Sequence, residues 1–325
     1  MINATSMSSR VKNMIKKMVE DNGGKDIEGF IHSVFDYACN IQISDQDLIG
    51  LISKDYGDNP YSISLDLSTG QTMKKLNMKQ GMKVIINNKS IRSVVGLFYI
   101  NLQGAIEWDP SLPKEYTDTV DRKQLGSNLS EIMRVVLKEG NFLGIGPLIL
   151  DYPKIIEEFK VGNLESPIDA NHYSLYISPR IKDLLCGIIK DDQVLIEKLL
   201  TGIVGFGPGL TPSADDLLVG LLATLYYLGK YYNKEIKAIS YLKNSLIDQE
   251  LTNQTTVVSR QMLKAAIHGE FAKSIKELSF AMITTRDKKE IEKAVLAAIN
   301  LGSTSGTDTI VGLLLGTYVV KEIIF

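Results

Sequence analysis

The residues best equipped for chemistry lie in two loop–helix segments that copy each other. The first runs Gly205-Phe-Gly-Pro-Gly-Leu-Thr-Pro-Ser-Ala-Asp-Asp-Leu-Leu-Val-Gly220, and the second Leu301-Gly-Ser-Thr-Ser-Gly-Thr-Asp-Thr-Ile-Val-Gly312. Aligned, Ser213 falls on Ser305, Ala214 on Gly306, Asp216 on Asp308, Val219 on Val311 and Gly220 on Gly312. In both, a small, hydroxyl-rich loop enters an apolar helix whose first turn carries an Asp. Such a loop presents unpaired backbone N–H groups and the positive end of a helix dipole, which together hold anions. Two copies predict two helix N-termini aimed at one site.

Within the first loop, Gly205, Gly207 and Gly209 permit positive φ and close backbone approach to a ligand. Pro208 and Pro212 stiffen it. Thr211 or Ser213 is placed to cap the following helix, with Asp215 and Asp216 in its first turn. The plainer reading is a well-capped core helix whose aspartates only complement the dipole. An anion site does not by itself welcome three carboxylates. Asp216 and Asp308 therefore hold a divalent cation through oxygen ligands, orient an amide or amine of a substrate, or lock the loops through backbone hydrogen bonds. Gly220, Gly312 and Gly316 read as packing residues. A third cluster, Thr255, Thr256 and Ser259, either adds hydroxyl donors to the pocket or N-caps a surface helix.

The elements that must carry these residues change along the chain. In the first third, Phe35 to Ile43 and Tyr61 to Leu67 alternate apolar and polar, the period of a half-buried strand. Short runs at Leu48–Ile52, Met82–Ile86 and Gly96–Leu102 follow the same logic, and the series ends near Trp108-Asp109-Pro110. Residues 8–21 instead place Val11, Met14, Ile15, Met18 and Val19 at helical spacing. From about residue 120 helices take over, with predicted spans 214–229, 234–250, 256–269, 272–284, 287–300 and 307–324. Residues 140–175 are irregular and predicted to border a site. The resulting fold class is α+β: a small N-terminal β-barrel or sandwich, then a mainly helical domain. The expected divisions are 1–25 (amphipathic helix), 26–115 (β-rich) and 116–325 (helical, carrying both loops).

Composition narrows the function. The chain has 325 residues, 23% charged and 44% hydrophobic, with net charge −2 and two cysteines. No block of like charge favours nucleic acid, and no apolar run is long enough to span a bilayer. Two distant cysteines fit a reducing cytoplasm. Phosphate-loop, dinucleotide, nucleophile-elbow and zinc-protease motifs are absent.

Gly207-Pro-Gly-Leu-Thr-Pro-Ser213 with Asp215-Asp216, then Thr255-Thr256 and Ser259, then Thr304-Ser-Gly306 and Asp308, resembles the AllH family. Ser33-Val-Phe-Asp-Tyr-Ala-Cys-Asn40 and Pro60-Tyr-Ser-Ile resemble its β part, so the likeness spans nearly the whole chain. The resemblance implies a carbamoyltransferase subunit that exchanges a carbamoyl group between phosphate and oxamate, with oxalurate as the ureido partner, in purine and allantoin breakdown. It also implies companion subunits. The substrates (carbamoyl phosphate, oxamate or oxalurate) are small anions. In this reading Gly207, Gly209, Thr211, Asp215, Thr255, Thr256, Ser259, Thr304, Ser305 and Gly306 bind substrate, while Ser213, Asp216 and Asp308 carry the chemistry. Asp216 and Asp308 also form the candidate magnesium site. The family usually has Gly where this chain has Ala214, a methyl group that either narrows the pocket or fits the helix. The motifs supply no evident general base tuned near neutral pH, so turnover is expected to need the companions. Two other classes remain open. Ser305 to Gly316 resembles the metal motif of the all-helical, magnesium-dependent ADP-ribosylglycohydrolases but lacks one Asp. A non-catalytic anion-binding regulatory subunit is the other.

Overall fold

A computed structural model describes residues 2–45, 47–152, 168–248 and 251–325. The chain divides into two compact units, residues 1–111 and 112–325.

The first unit is a barrel. Its strands are β1 (Ile2–Ser8), β2 (Ile27–Val34), β3 (Ala38–Gln42), β4 (Leu48–Ser53), β5 (Ser62–Leu65), β6 (Lys83–Ile86), β7 (Ser90–Ser93), β8 (Tyr99–Asn101) and β9 (Ile106–Trp108). Hydrogen bonding follows β5-β4-β3-β2-β6-β7-β8-β1, and β1 returns to β5 to close the ring. Closure removes the exposed edges that an open sheet would have to protect. β1 pairs with β8 through Ile2 and Asn3, then with β9 through Ser6, Met7 and Ser8, so the last two strands share one neighbour. Alternate side chains such as Ile31, Ile41, Ile49, Ile63, Val84 and Ile100 fill the core at zero exposure. Helix α1 (Ser9–Asp21) adds Val11, Ile15 and Val19, spaced one turn apart, to that core, and Ser8 caps it by accepting from the Val11 N–H at 3.1 Å.

The period-2 run at Phe35–Ile43 is not one strand. β2 ends at Val34, the Phe35 N–H donates to the Ala38 carbonyl at 2.7 Å, and the chain re-enters as β3. Phe35 and Tyr37 lie in that turn, exposed.

The second unit is helical among the described residues: α2 (Arg122–Glu139), α3 (His172–Ile189), α4 (Gln193–Leu200), α5 (Ser213–Tyr231), α6 (Ala238–Asp248), α7 (Val257–Ala266), α8 (Lys273–Thr284), α9 (Lys288–Ile299) and α10 (Ser305–Ile324). α5 and α10 are apolar on nearly every face, the pattern of a fully buried helix, and both lie in the core. α5 packs on α7 and α8, and α10 on α9, α3 and the 3-10 turn Gly146–Asp151. No helix among the described residues is long and apolar enough to cross a membrane.

Candidate functional site

The site is built on the α5–α10 pair. A Cβ on Gly220 would run into the Thr309 carbonyl oxygen, and one on Gly312 into that of Leu217. Further along, the Thr224 hydroxyl donates to the Leu313 carbonyl at 2.9 Å, while Gly316 sits against Leu221 and Thr224. These contacts advance together along both helices, so the helices run parallel with their N-termini at one end. They also exchange under the sequence alignment: Gly220 meets the counterpart of Leu217, and Gly312 meets Leu217 itself. The repeated motif thus forms a local two-fold arrangement, with the glycines supplying the close approach. Both positive helix ends converge on one place, which favours negative charge there.

At that end Asp216 and Asp308 occupy equivalent positions, at 1% and 0% exposure. Each lies by the hydroxyl of the opposite helix's first residue, Ser305 for Asp216 and Ser213 for Asp308. Burial, then the Asp308 charge, pushes the Asp216 carboxyl well above the usual range; the Ser305 and Thr211 hydroxyls oppose the shift. Burial likewise pushes Asp308 up to about 6, against the Ser213 and Thr304 hydroxyls and the Gly146 and Ile145 N–H groups. Those donors surround Asp308 without reaching hydrogen-bond geometry: neither of its oxygens, nor the Ser213 hydroxyl, has a direct partner. Gly144 packs so closely on this carboxylate that a Cβ there would overlap it. The segment that brings Gly144 in is pinned by Asn171, whose amide donates to the Gly144 and Phe142 carbonyls at 2.7 and 3.0 Å. It is pinned again by the Asn141 N–H, which donates to Thr307 at 2.9 Å. The irregular 140–175 stretch therefore borders the site through residues 140–146; its residues 153–167 lie outside the described residues.

Asp215 has different surroundings. It accepts from the Gly205 N–H at 2.8 Å and from the Thr255 and Ser259 hydroxyls at 2.5 Å each. Thr256 caps α7 by accepting from the Ser259 N–H and gives its own hydroxyl to the Leu210 carbonyl. Asp215, Thr255, Thr256 and Ser259 thus hold the 205–212 loop against α7. Gly205 takes φ +78°, and a Cβ there would strike the Gln254 carbonyl. Gly207, at φ +114°, leaves no room for a Cβ beside Ser213.

Neither Thr211 nor Ser213 caps α5. Pro212 is the cap residue and makes no side-chain bond, while the Ala214 N–H donates to the Phe206 carbonyl at 2.9 Å. The loop folds back and supplies a backbone acceptor where a side-chain cap was expected. Ala214 is fully buried among core side chains, so its methyl group fits the helix. Gly306 is likewise a packing position, facing the Ala298 and Ile299 carbonyls at the end of α9.

What remains open at the mouth is backbone and hydroxyl. Among the described residues no hydrogen bond takes up the N–H groups of Gly207, Gly209, Leu210 and Thr211 on one loop, or of Ser303, Thr304 and Ser305 on the other. The two loops touch through the Thr211 and Ser305 hydroxyls, 2.8 Å apart, and Thr211 donates onward to Asp216 at 3.1 Å. Thr211, Thr304 and Ser305 are half-buried; Gly209, Leu210 and Ser303 are exposed. The described residues contain no cluster of three or more His, Cys, Asp or Glu side chains arranged to hold a metal.

Sequence reasoning missed Asn141, Gly144 and Asn171. Gly144 and Gly146 stood out only as irregular, and nothing local to 141–146 shows that it covers an aspartate far along the chain.

Residues 3–107 match the AllH family N-terminal domain, and residues 203–317 match the family described as oxamate carbamoyltransferase subunit AllH. No solved structure matches the chain. The chain belongs to the AllH family.

Proposed function

We propose that this AllH-family chain is the small-anion-binding subunit of a cytoplasmic carbamoyltransferase. The reaction exchanges a carbamoyl group between phosphate and the oxamate nitrogen, with oxalurate as the ureido compound, in purine and allantoin breakdown. The observation that carries this reading is the mouth formed by two parallel helix N-termini, with unpaired N–H groups on both loops. Phosphate and carboxylate oxygens seek such groups. The same donors would stabilise negative charge developing on the carbamoyl oxygen. Gly207, Gly209, Thr211, Thr304 and Ser305 contribute the seat, and Asp215 with Thr255 and Ser259 keeps the first loop in shape. No lysine or arginine is among the largest influences on the paired carboxylates. Companion polypeptides fit this composition as the source of the missing cationic groups.

The test is phosphorolysis of oxalurate, followed as carbamoyl phosphate formation, with the purified chain alone and then with its companion subunits. Turnover is expected only in the assembly. Robust turnover by the isolated chain would remove the dependence on companions, and none in any combination would remove the carbamoyl reading. Activity surviving a chelator would exclude an obligatory magnesium ion at Asp216 and Asp308. In calorimetric titration with phosphate or oxamate, Ser305→Ala should weaken binding by about 1 kcal/mol, the loss of one neutral hydrogen bond. Ser213→Ala, a change at a fully buried hydroxyl, should cost less.

A further inference from the structure

We propose that a companion subunit docks over the mouth of the anion site, seated on Leu143, Leu175, Tyr176 and Leu210, with a carboxylate of its own against Arg180. The proposal rests on the carbamoyl-transfer reading only for the existence of companions, which the family's description as a subunit also implies. The surface itself stands on where the apolar side chains lie. Single exposed apolar residues are ordinary on any protein, whereas a group of them around one opening marks an interaction surface. Leu143 is 73% exposed, Leu175 63% and Tyr176 58%, and Leu210 is exposed as well. Each belongs to a segment that forms or borders the mouth.

Direct contacts tie these segments together. Leu143 precedes Gly144, which packs on Asp308. Asn171 draws that segment to the start of α3 through the Phe142 and Gly144 carbonyls. Leu175 and Tyr176 follow in the first turns of α3, where the Leu175 N–H donates to the Asn171 carbonyl at 3.0 Å. The Tyr176 ring stacks on Phe206 of the first loop, centroids 5.2 Å apart, and Tyr173 meets Phe206 edge-on at 6.3 Å. Leu210 stands further along the same loop, between Gly209 and Thr211, whose N–H groups are open. The exposed apolar side chains thus border the open N–H groups.

Charge identifies the occupant. Residues 141–149, 203–214 and 299–307 contain no Lys, Arg, Asp or Glu. A centre without charge, beside aromatic and arginine side chains, is the composition of a protein–protein interface. At the edge of the patch the Arg180 guanidinium lies over the Tyr176 ring, 4.9 Å from its centroid, and donates to the Tyr176 carbonyl at 3.5 Å. Among the described residues no carboxylate pairs with it. An arginine already stacked on tyrosine loses little freedom when a carboxylate arrives, and Tyr and Arg dominate interface energies. A second copy of this chain does not supply that carboxylate. An isologous contact sets the same patch against itself, and segments 141–149, 170–182 and 203–214 contain no Asp or Glu. A different polypeptide, apolar at its centre and acidic opposite Arg180, satisfies both requirements. Seated there, it closes the mouth over a bound anion, excludes water and brings within reach the basic group that the loops lack.

The test measures assembly of the full chain with its companion subunits by sedimentation and calorimetric titration. Leu143→Asp, Leu175→Asp and Arg180→Glu should each weaken it at least about tenfold, the scale on which interface anchors act. The Arg180→Glu loss should shrink as salt is raised, while the two leucine losses persist. Val194→Asp, as exposed as Leu143 but in α4 beyond the other end of α3, should leave assembly unchanged. Both leucines are exposed, so their variants should fold, and thermal unfolding checks that they do. Assembly unaffected by all three substitutions, or weakened equally by Val194→Asp, overturns the proposal. Failure of the unmodified chain to bind any companion overturns it too. So does a dimer of the isolated chain that Leu143→Asp dissolves, which would give the surface to a second copy. An assembly that these variants weaken but that transfers no carbamoyl group counts against the reaction and leaves the surface standing.

Discussion

The two copies of the loop–helix motif agree at one position and part at the one before it. Asp216 and Asp308 occupy equivalent positions, whereas Asp215 in the first copy corresponds to Thr307 in the second. Asp215 spends itself on three donors, one backbone N–H and two hydroxyls, and so fastens its loop to α7. Thr307 does the same work more lightly, accepting the Asn141 N–H and so tethering the segment that covers Asp308. Asp308 itself has no direct partner. A buried carboxylate that is fully partnered is scaffold. One left without partners in the same few turns of helix is held there at a cost, and function is the reason to look for.

The sharpest way to break the comparison is Asp215→Ala. It strands the Gly205 N–H and the Thr255 and Ser259 hydroxyls, and should destabilise the second unit by about 3–5 kcal/mol, the usual cost of removing one partner from a buried charged network. Urea unfolding measures it; a loss under about 1 kcal/mol would mean the network is incidental. Next come Gly220→Ala and Gly312→Ala, each forcing a methyl group into a carbonyl of the facing helix. Overpacking of this kind costs about 2–3 kcal/mol. The two losses should match within about 1 kcal/mol, because the contacts are reciprocal, and a one-sided loss would show that the local symmetry is not energetic.

Asp308→Asn should act in the opposite direction from Asp215→Ala. The folded-state value near 6 lies above the ordinary 3.8, so the folded chain binds the proton more tightly than the unfolded one. Stability therefore falls as pH rises from about 4 to 6, and stays lower above that. Removing the charge should raise stability at pH 7 by about 3 kcal/mol, with the gain fading below about pH 4. Urea midpoints across that range test the sign, and activity in the assembly should be lost meanwhile. The smallest effect is expected at Thr307→Val, about 1 kcal/mol for one neutral hydrogen bond, read from thermal unfolding of the chain.

Much of this was legible before any coordinates. The repeat between 205–220 and 301–312 announces paired helix starts because glycines, hydroxyls and an aspartate recur in the same order. The apolar runs after Asp216 and Asp308 could only be core helices. The strand at Leu48–Ile52 and the helix at 272–284 follow from their periods. Strand β1 was not legible. Its residues Ile2–Ser8 acquire meaning only by closing the ring between β5 and β8, a non-local pairing that no local pattern encodes.

Sequence alone determined the family likeness, the α+β order and the residue types available at the two loops, because these are properties of composition, spacing and local backbone preference. The division of labour among those residues was decided by tertiary structure. That Thr255 and Ser259 donate to Asp215 shows only once the chain is folded. Asp308 looks like an ordinary first-turn carboxylate until the 140–146 segment closes over it. A pattern such as Asp-x-x-x-Gly records where a side chain starts along a helix. Its proton affinity depends on how much water and charge surround it. Burial and the second carboxylate set that, and both come from segments scores of residues away.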